Sequence, residues 1–164
     1  MANTSFTGPV RSQNGFQGYS NDSSNVSLTL SAQGTGVVLS TSSVPFFQLT
    51  ATTVTTAADV TYTAAQLKTG LILRDPNGGA RADLFPTAAS LLTAVPGAIV
   101  GTSFIVTIRN TADAAETITM TTNTGLTLSG TMTIAQNAQK SFLVTFTDVS
   151  TAAVTIYSMG SVTF

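Results

Sequence analysis

The sequence predicts an all-β fold: an antiparallel β-sandwich or jelly-roll-like domain with one short helix, preceded by an extended N-terminal arm. Apolar and polar residues alternate in nearly every apolar segment, which is the period of a half-buried strand. Turn residues separate these segments at short intervals. Residues 1–25 have no such period and are rich in Gly, Ser and Asn, so they bury too little apolar area to order on their own.

The predicted domains are therefore an arm, residues 1–25, and a β-domain, residues 26–164, which is most regular from about residue 46 onward. The arm holds spaced aromatic residues and a single basic residue, set among Gly-Pro and Asn-Gly pairs. Interface hot spots combine Arg with aromatic side chains. We expect the arm to bind a partner through Phe6, Pro9, Arg11, Asn14, Phe16 and Tyr19. The alternative is a tail without a role, in which Arg11 is solvated.

The first elements of the β-domain are short. Alternation begins at Val26, Leu28 and Leu30, and two further short apolar segments follow at 37–39 and 45–49. The sequence also allows a single helical turn from residue 63 to residue 69.

The middle of the chain carries the strongest turn signal. A compact strand at 71–74 runs into Asp75-Pro76-Asn77-Gly78-Gly79, in which Pro presets φ and Asn-Gly tolerates positive φ. The one predicted helix follows at 88–94, with Thr87 as its N-cap and Pro96-Gly97 as its end.

The C-terminal part is the most regular. Alternating segments separated by polar turns predict six strands, at 103–108, 117–120, 126–128, 132–134, 142–146 and 154–156. Roughly eight or nine strands are expected in all. Ile105 and Leu143 lie on the strand face opposite the main core stripe, so we expect a neighbouring subunit to cover that face.

Composition excludes several functional classes. The 164 residues include no Cys and no His, and only 8% are charged. Without His or Cys, catalytic triads and thiolate metal sites cannot form. The six basic residues are scattered, which argues against nucleic acid as a partner. We also expect no membrane span and no secretory signal.

Few residues suggest a catalytic or metal-binding site. Asp75, Asn77 and Asp83 lack the spacing of an EF-hand loop, so a plain turn is expected there. Asp113 and Glu116 are the nearest carboxylate pair in sequence, on a polar loop without Trp, which disfavours glycan hydrolysis. We therefore expect no enzyme activity, no catalytic residue, no cofactor and no metal. Loop-end salt bridges are expected for three arginines with acidic residues nearby: Arg74 near Asp75, Arg81 near Asp83 and Arg109 near Asp113.

Two stretches resemble known proteins. The run from Ser5 to Phe16 resembles an opening seen in structural proteins of tailed phages, especially aquatic ones. A longer set of segments is similar to a β-domain of virion surface proteins from phages and large viruses: 62–67, 71–78, 84–89, 101–104 and 108–111. The two stretches lie between residues 5 and 111, an interval of roughly two thirds of the chain.

This resemblance implies a capsid decoration, or cement, protein. Such a protein would be made in the host cytoplasm, bind the major capsid protein on the outer surface of the phage head and stabilise the shell, typically as a homotrimer. The alternative is a head-fibre, tail-spike or other virion appendage that binds host surface glycan. A glycan-active enzyme is the third reading, disfavoured by the absence of His and Trp.

Overall fold

The computed structural model describes residues 50–164. The predicted arm, the strands expected between residues 26 and 49, and all six arm residues proposed to bind the capsid lie outside the described residues.

Strands form 45% of the described residues and helices 10%, so the prediction of a mostly β protein with little helix is confirmed. There are two sheets. The strands are β1 (Thr52–Val54), β2 (Leu71–Arg74), β3 (Arg81–Leu84), β4 (Ser103–Asn110), β5 (Ile118–Thr121), β6 (Leu126–Ser129), β7 (Thr133–Ile134), β8 (Ala138–Asp148) and β9 (Ala153–Thr163). The helices are α1 (Ala64–Lys68) and α2 (Ala88–Ala94).

Both sheets are mixed. The six-stranded sheet has the order β1-β2-β4-β8-β9-β6, and the three-stranded sheet has the order β3-β5-β7. The pairs β1–β2, β2–β4, β3–β5 and β6–β9 are parallel, whereas β4–β8, β5–β7 and β8–β9 are antiparallel. The prediction of an antiparallel sheet is therefore wrong for four of these pairs. A half-buried strand alternates in the same way whichever direction its neighbour runs, so the alternation carried no information on direction.

Two helices are present: α1 at the single turn that the sequence allowed between residues 63 and 69, and α2 at the predicted helix. Thr63 and Gln66 form a capping box at the start of α1: Thr63 Oγ1 accepts from the backbone N–H of Gln66 (3.1 Å), and Gln66 Oε1 accepts from that of Thr63 (2.8 Å). At the start of α2, Thr87 Oγ1 accepts from the Ser90 N–H, as its predicted N-cap role requires. No helix within residues 50–164 has the length and apolar character needed to cross a membrane.

One hydrophobic core contains the inward side chains of both sheets and of both helices. Phe85 and Phe142 pack edge to face in it, with ring centroids 5.3 Å apart. The six-stranded sheet also contributes the fully buried Ile72, Val106, Val144 and Ile156. The three-stranded sheet contributes Ile118 and Ile134, and the helices contribute Leu67 and Leu91.

A buried ion pair joins the two sheets. Arg74, the last residue of β2, and Asp83 of β3 are both fully buried. The guanidinium donates to both carboxylate oxygens, from Nε to Oδ2 (2.8 Å) and from Nη2 to Oδ1 (3.2 Å). The Tyr62 hydroxyl also donates to Oδ2 (2.9 Å). The pair was not expected, since Asp83 had been assigned to Arg81 and Arg74 to Asp75.

The remaining donors of Arg74 fix the chain that follows β1. Nη1 donates to the carbonyls of Thr56 (2.8 Å) and Asp75 (2.7 Å), and Nη2 donates to that of Ala58 (2.8 Å). All five guanidinium N–H groups are thereby satisfied. Asp83 Oδ1 accepts from the Val60 N–H as well, so one side chain pair positions the whole segment from residue 56 to residue 60.

The network also changes proton affinities. Burial raises the pKa of Tyr62 far above its usual value, and the negative charge of Asp83 raises it further. Burial alone would lower the pKa of Arg74, but its hydrogen bonds to Asp83 and the charge of that carboxylate outweigh burial and raise it. Tyr62 therefore stays neutral and Arg74 stays charged over the whole range in which the protein would be handled.

Gly125 is required by close packing as well as by its backbone angle. It precedes β6 with φ +78°, and a Cβ there would lie 2.6 Å from the Ala152 carbonyl oxygen and 2.8 Å from Ala88 Cβ. Gly97 has the same φ of +78°, but a Cβ there would meet nothing within 4 Å. A side chain at Gly97 would therefore meet only the strain of a positive φ, whereas one at Gly125 would also clash with its neighbours.

Removing one partner of the ion pair should be far more damaging than removing an exposed charge. We expect Asp83→Ala to lower the free energy of unfolding by about 3–5 kcal/mol, because it leaves a buried guanidinium without its counter-ion. Urea denaturation of the purified protein measures this. Asp113→Ala, at an exposed carboxylate, is the control and should stay within about 0.5 kcal/mol of the unaltered protein. Equal losses in the two variants would contradict the structural role of the pair.

The glycine pair gives a second test. Gly97→Ala should cost only the strain of a positive φ, about 1–2 kcal/mol. Gly125→Ala should cost at least about 1 kcal/mol more, because the backbone must shift to admit the methyl group. The comparison is made by urea denaturation of both variants, and similar losses would show that the close approach of Ala152 is not a constraint.

Candidate interaction surface

The outer face of the six-stranded sheet, meaning the side chains that point away from the core, carries a row of apolar residues. Ile105 pairs with Leu143, and Leu143 pairs with Tyr157, so the three lie side by side across β4, β8 and β9. Ile105 is 52% exposed and Tyr157 is 41% exposed. Alternation had placed Ile105 and Leu143 on this face, and the structure places them there.

Hydroxyl groups surround this row. Ser103 Oγ donates to Thr145 Oγ1 (3.0 Å), and the hydroxyls of Thr107 and Ser141 are 2.9 Å apart. Arg109 is the one charged side chain among the outward residues of β4 and their partners on β8. Its guanidinium carbon lies 3.4 Å from the centroid of the Phe164 ring, a cation–π contact. The face is thus apolar and hydroxyl-rich, with almost no charge.

Further large apolar side chains are exposed in this part of the chain. Two lie in the turn before β4 and three lie near the end of β9: Ile99 and Val100, then Met159, Val162 and Phe164. Exposed apolar side chains that form a contiguous patch, as Ile105, Leu143 and Tyr157 do, mark an interaction site.

A groove of about 780 Å³ opens at the start of β4, beside the C-terminal ends of α1 and α2. Its lining is mainly apolar and is formed by Lys68, Gly70, Val95, Thr102, Ser103, Phe104, Ile105 and Leu143. The ammonium group of Lys68 donates to the carbonyl of Ala94, so the charge on the rim already has a partner. The groove was not predicted, because its walls come from four elements, α1, α2, β4 and β8, that are distant in sequence.

A second, smaller pocket of about 250 Å³ lies where both helices begin. It is lined by the two N-cap residues Thr63 and Thr87, with Ser90 and Asn123 among the others. Tyr62 reaches it but is only 1% exposed, and its ring therefore offers no open face on which a sugar could stack.

The carboxylates considered for chemistry are in unlike surroundings. Asp113 is exposed. Glu116 is buried; its Oε1 accepts from the Gly78 N–H (2.8 Å), and its Oε2 has no partner within residues 50–164. Of the residues considered as calcium ligands, Asp83 is ion-paired with Arg74. Asp75 Oδ1 accepts a hydrogen bond from the Asn77 N–H (2.9 Å) as part of a turn. Residues 50–164 contain no group of three or more acidic side chains that could hold a metal ion.

The expected loop-end salt bridges are wrong. Arg81 instead donates to the carbonyls of Pro76 (3.0 Å) and Asn77 (3.2 Å), where it braces the predicted turn. Arg109 contacts Phe164, and Arg74 pairs with Asp83.

Lys140 is also buried: its amine donates to the Thr131 carbonyl (2.6 Å), and burial lowers its pKa. The alternation of the strand could have predicted that Arg74 is buried, because Arg74 follows the buried Ile72 by two residues and must share its inward face.

Comparison with known proteins adds no relative to this picture. No protein-family model, no curated protein sequence and no solved structure matches the chain.

Proposed function

We propose that this chain is a viral structural protein, a capsid decoration or cement protein that binds the outer surface of a phage head and stabilises it. The observation that carries the proposal is the outer face of the six-stranded sheet, where Ile105, Leu143 and Tyr157 are flanked by hydroxyl groups and a single charge. A nearly uncharged face of this kind suits close packing against other chains rather than free solution.

The proposed architecture is a β-sandwich with mixed sheets. Its support is the shared core, to which β4, β8 and β9 of one sheet and β5 and β7 of the other all contribute buried side chains. The ion pair between Arg74 and Asp83 ties the sheets together at one end.

The proposed assembly is a homotrimer, and its proposed partner is the major capsid protein of the same virus. Within this scheme the arm, residues 1–25, attaches the trimer to the shell through Phe6, Pro9, Arg11, Asn14, Phe16 and Tyr19. Its role is binding, with no catalysis, cofactor or metal in the proposal. The β-domain then remains on the outer surface of the virion.

A second candidate is an appendage, such as a head fibre or tail spike, that binds host surface glycan. The exposed ring of Tyr157 beside the hydroxyls of Thr155 and Ser129 favours it, because sugars bind to aromatic faces flanked by polar groups. The two candidates differ in what the β-domain binds: neighbouring copies in the first, and a carbohydrate in the second. Tyr157→Ala would abolish glycan binding in the second case.

Removing the arm should separate folding from attachment. We expect deletion of residues 2–20 to leave the melting temperature and the oligomeric state nearly unchanged but to abolish binding to the capsid. The measurement is co-sedimentation of the truncated chain with particles stripped of their decoration. Equal binding by truncated and full-length chains would place the attachment surface on the β-domain.

Single substitutions within the arm should identify its contacts. Phe6→Ala, Arg11→Ala and Phe16→Ala should each weaken capsid binding by roughly tenfold or more, since an anchor residue contributes about 1.5–3 kcal/mol. Gln13→Ala, at a polar position between two of these residues, is the matched control and should bind as the unaltered chain does. Uniform behaviour of all four variants in the co-sedimentation assay would argue against specific anchors.

The oligomeric state tests the proposed assembly by itself. Sedimentation equilibrium should show an oligomer at micromolar concentration, because the outer face leaves large apolar side chains exposed on the isolated chain. A monomer at that concentration would contradict the proposed homotrimer whatever the capsid assays show.

A further inference from the structure

Half of one edge of β4 lacks a neighbouring strand. On one side, β8 pairs with β4 from Ser103 to Arg109. On the other side, β2 pairs with it only from Thr107 onward. Among residues 50–164, the segment from Ser103 to Val106 therefore has no strand on the side where β2 would continue.

The backbone groups on this side are oriented for pairing. Thr107 donates its N–H to Gly70 (2.9 Å), on the side of β2, whereas Thr102 accepts at its carbonyl from the Phe146 N–H (3.0 Å), on the side of β8. Along an extended strand, the backbone N–H and C=O groups of successive residues point to opposite edges. Ser103 and Ile105 therefore point their N–H and C=O groups the same way as Thr107, and within residues 50–164 these groups have no hydrogen-bond partner.

The groove of about 780 Å³ lies beside this open edge, since both Ser103 and Ile105 line it. Val95, Phe104 and Leu143 give it apolar walls. An exposed edge next to a groove is the arrangement that accepts an added strand: backbone hydrogen bonds give affinity, and alternate side chains of the added strand fill the groove.

We propose that the open edge from Ser103 to Ile105 takes an extended strand from a second copy of this chain. This inference rests on the homo-oligomer of the proposed function and names the contact that forms it. The groove favours an uncharged strand with apolar side chains at alternate positions, because its single cation, Lys68, is already bound to the Ala94 carbonyl.

The geometry favours a donor-to-acceptor contact over a symmetric one. The open edge is short and borders the groove, so an extended segment can pair with the edge and fill the groove at the same time. A contact between two different surfaces closes into a ring, of which a trimer is one case. The 49 residues before Thr50 are long enough to supply the strand, and Val26, Leu28 and Leu30 have the required alternation.

Substitutions at Ile105 in the full-length chain test the contact. Ile105→Pro removes the N–H on the open edge and spares the bonds to β8. Ile105→Lys keeps the backbone and puts a charge on the edge, a device that blocks strand addition. Each should weaken association on the order of 100-fold in sedimentation equilibrium. Thr119→Lys, at an exposed position on β5 of the other sheet, is the control and should associate normally.

Hydrogen exchange gives a readout that does not depend on a variant. The amides of Ser103 and Ile105 should be protected in the oligomer and exchange rapidly when the protein is diluted to monomer. The amide of Val106, which points towards β8, should be protected in both states. Protection of Ile105 at every dilution would mean that the edge is filled within one chain, and the proposal would be wrong.

The outcomes separate this inference from the proposed function. If Ile105→Lys and Ile105→Pro both associate normally, another surface holds the oligomer; the strand contact is then overturned while the decoration function stands. If the variants fall to monomers and the unaltered protein still fails to sediment with stripped capsids, the strand contact is supported and the decoration function fails.

Discussion

The ion pair between Arg74 and Asp83 is the interaction on which the arrangement of this domain depends. Neither charge reaches water, so each is tolerable only because the other is present and every remaining donor has a partner. The partners lie on β2, on β3 and on the segment between β1 and α1. Fixing one guanidinium therefore fixes the relation of the two sheets at this end and the route by which the chain passes between them.

The sequence predicted the elements of the fold better than their arrangement. Leu71–Arg74 and the helix from Ala88 to Ala94 were placed at their observed bounds, because alternation, capping and turn chemistry act over a few residues. Strand direction was not predictable in this way, since β2 becomes parallel to β4 only through a connection that contains β3 and α2. β1 was missed because its threonines resemble a solvated surface segment.

The interaction surface likewise has features that the sequence could predict and features that it could not. The row of Ile105 and Leu143 could be predicted, because period two alone assigns a side chain to one face of a strand. The groove beside β4 could not, since it depends on where β2 begins relative to Thr107 and on where α1 and α2 end. Those positions follow from packing in the core. The buried pair lies between these cases: the inward position of Arg74 could be inferred, but its partner could not.

The distribution of charge connects this core to the outer face. The chain has only six basic and seven acidic residues, yet four of them are buried within residues 50–164: Arg74, Asp83, Glu116 and Lys140. Wetting of the outer face is consequently left to Ser and Thr hydroxyls, which bond to one another across strands. Such hydroxyls keep a face soluble without the mutual repulsion of charges. A surface of this kind can approach another copy of the chain closely, and an unpaired edge at its border, as at Ile105, then has a neighbour within reach.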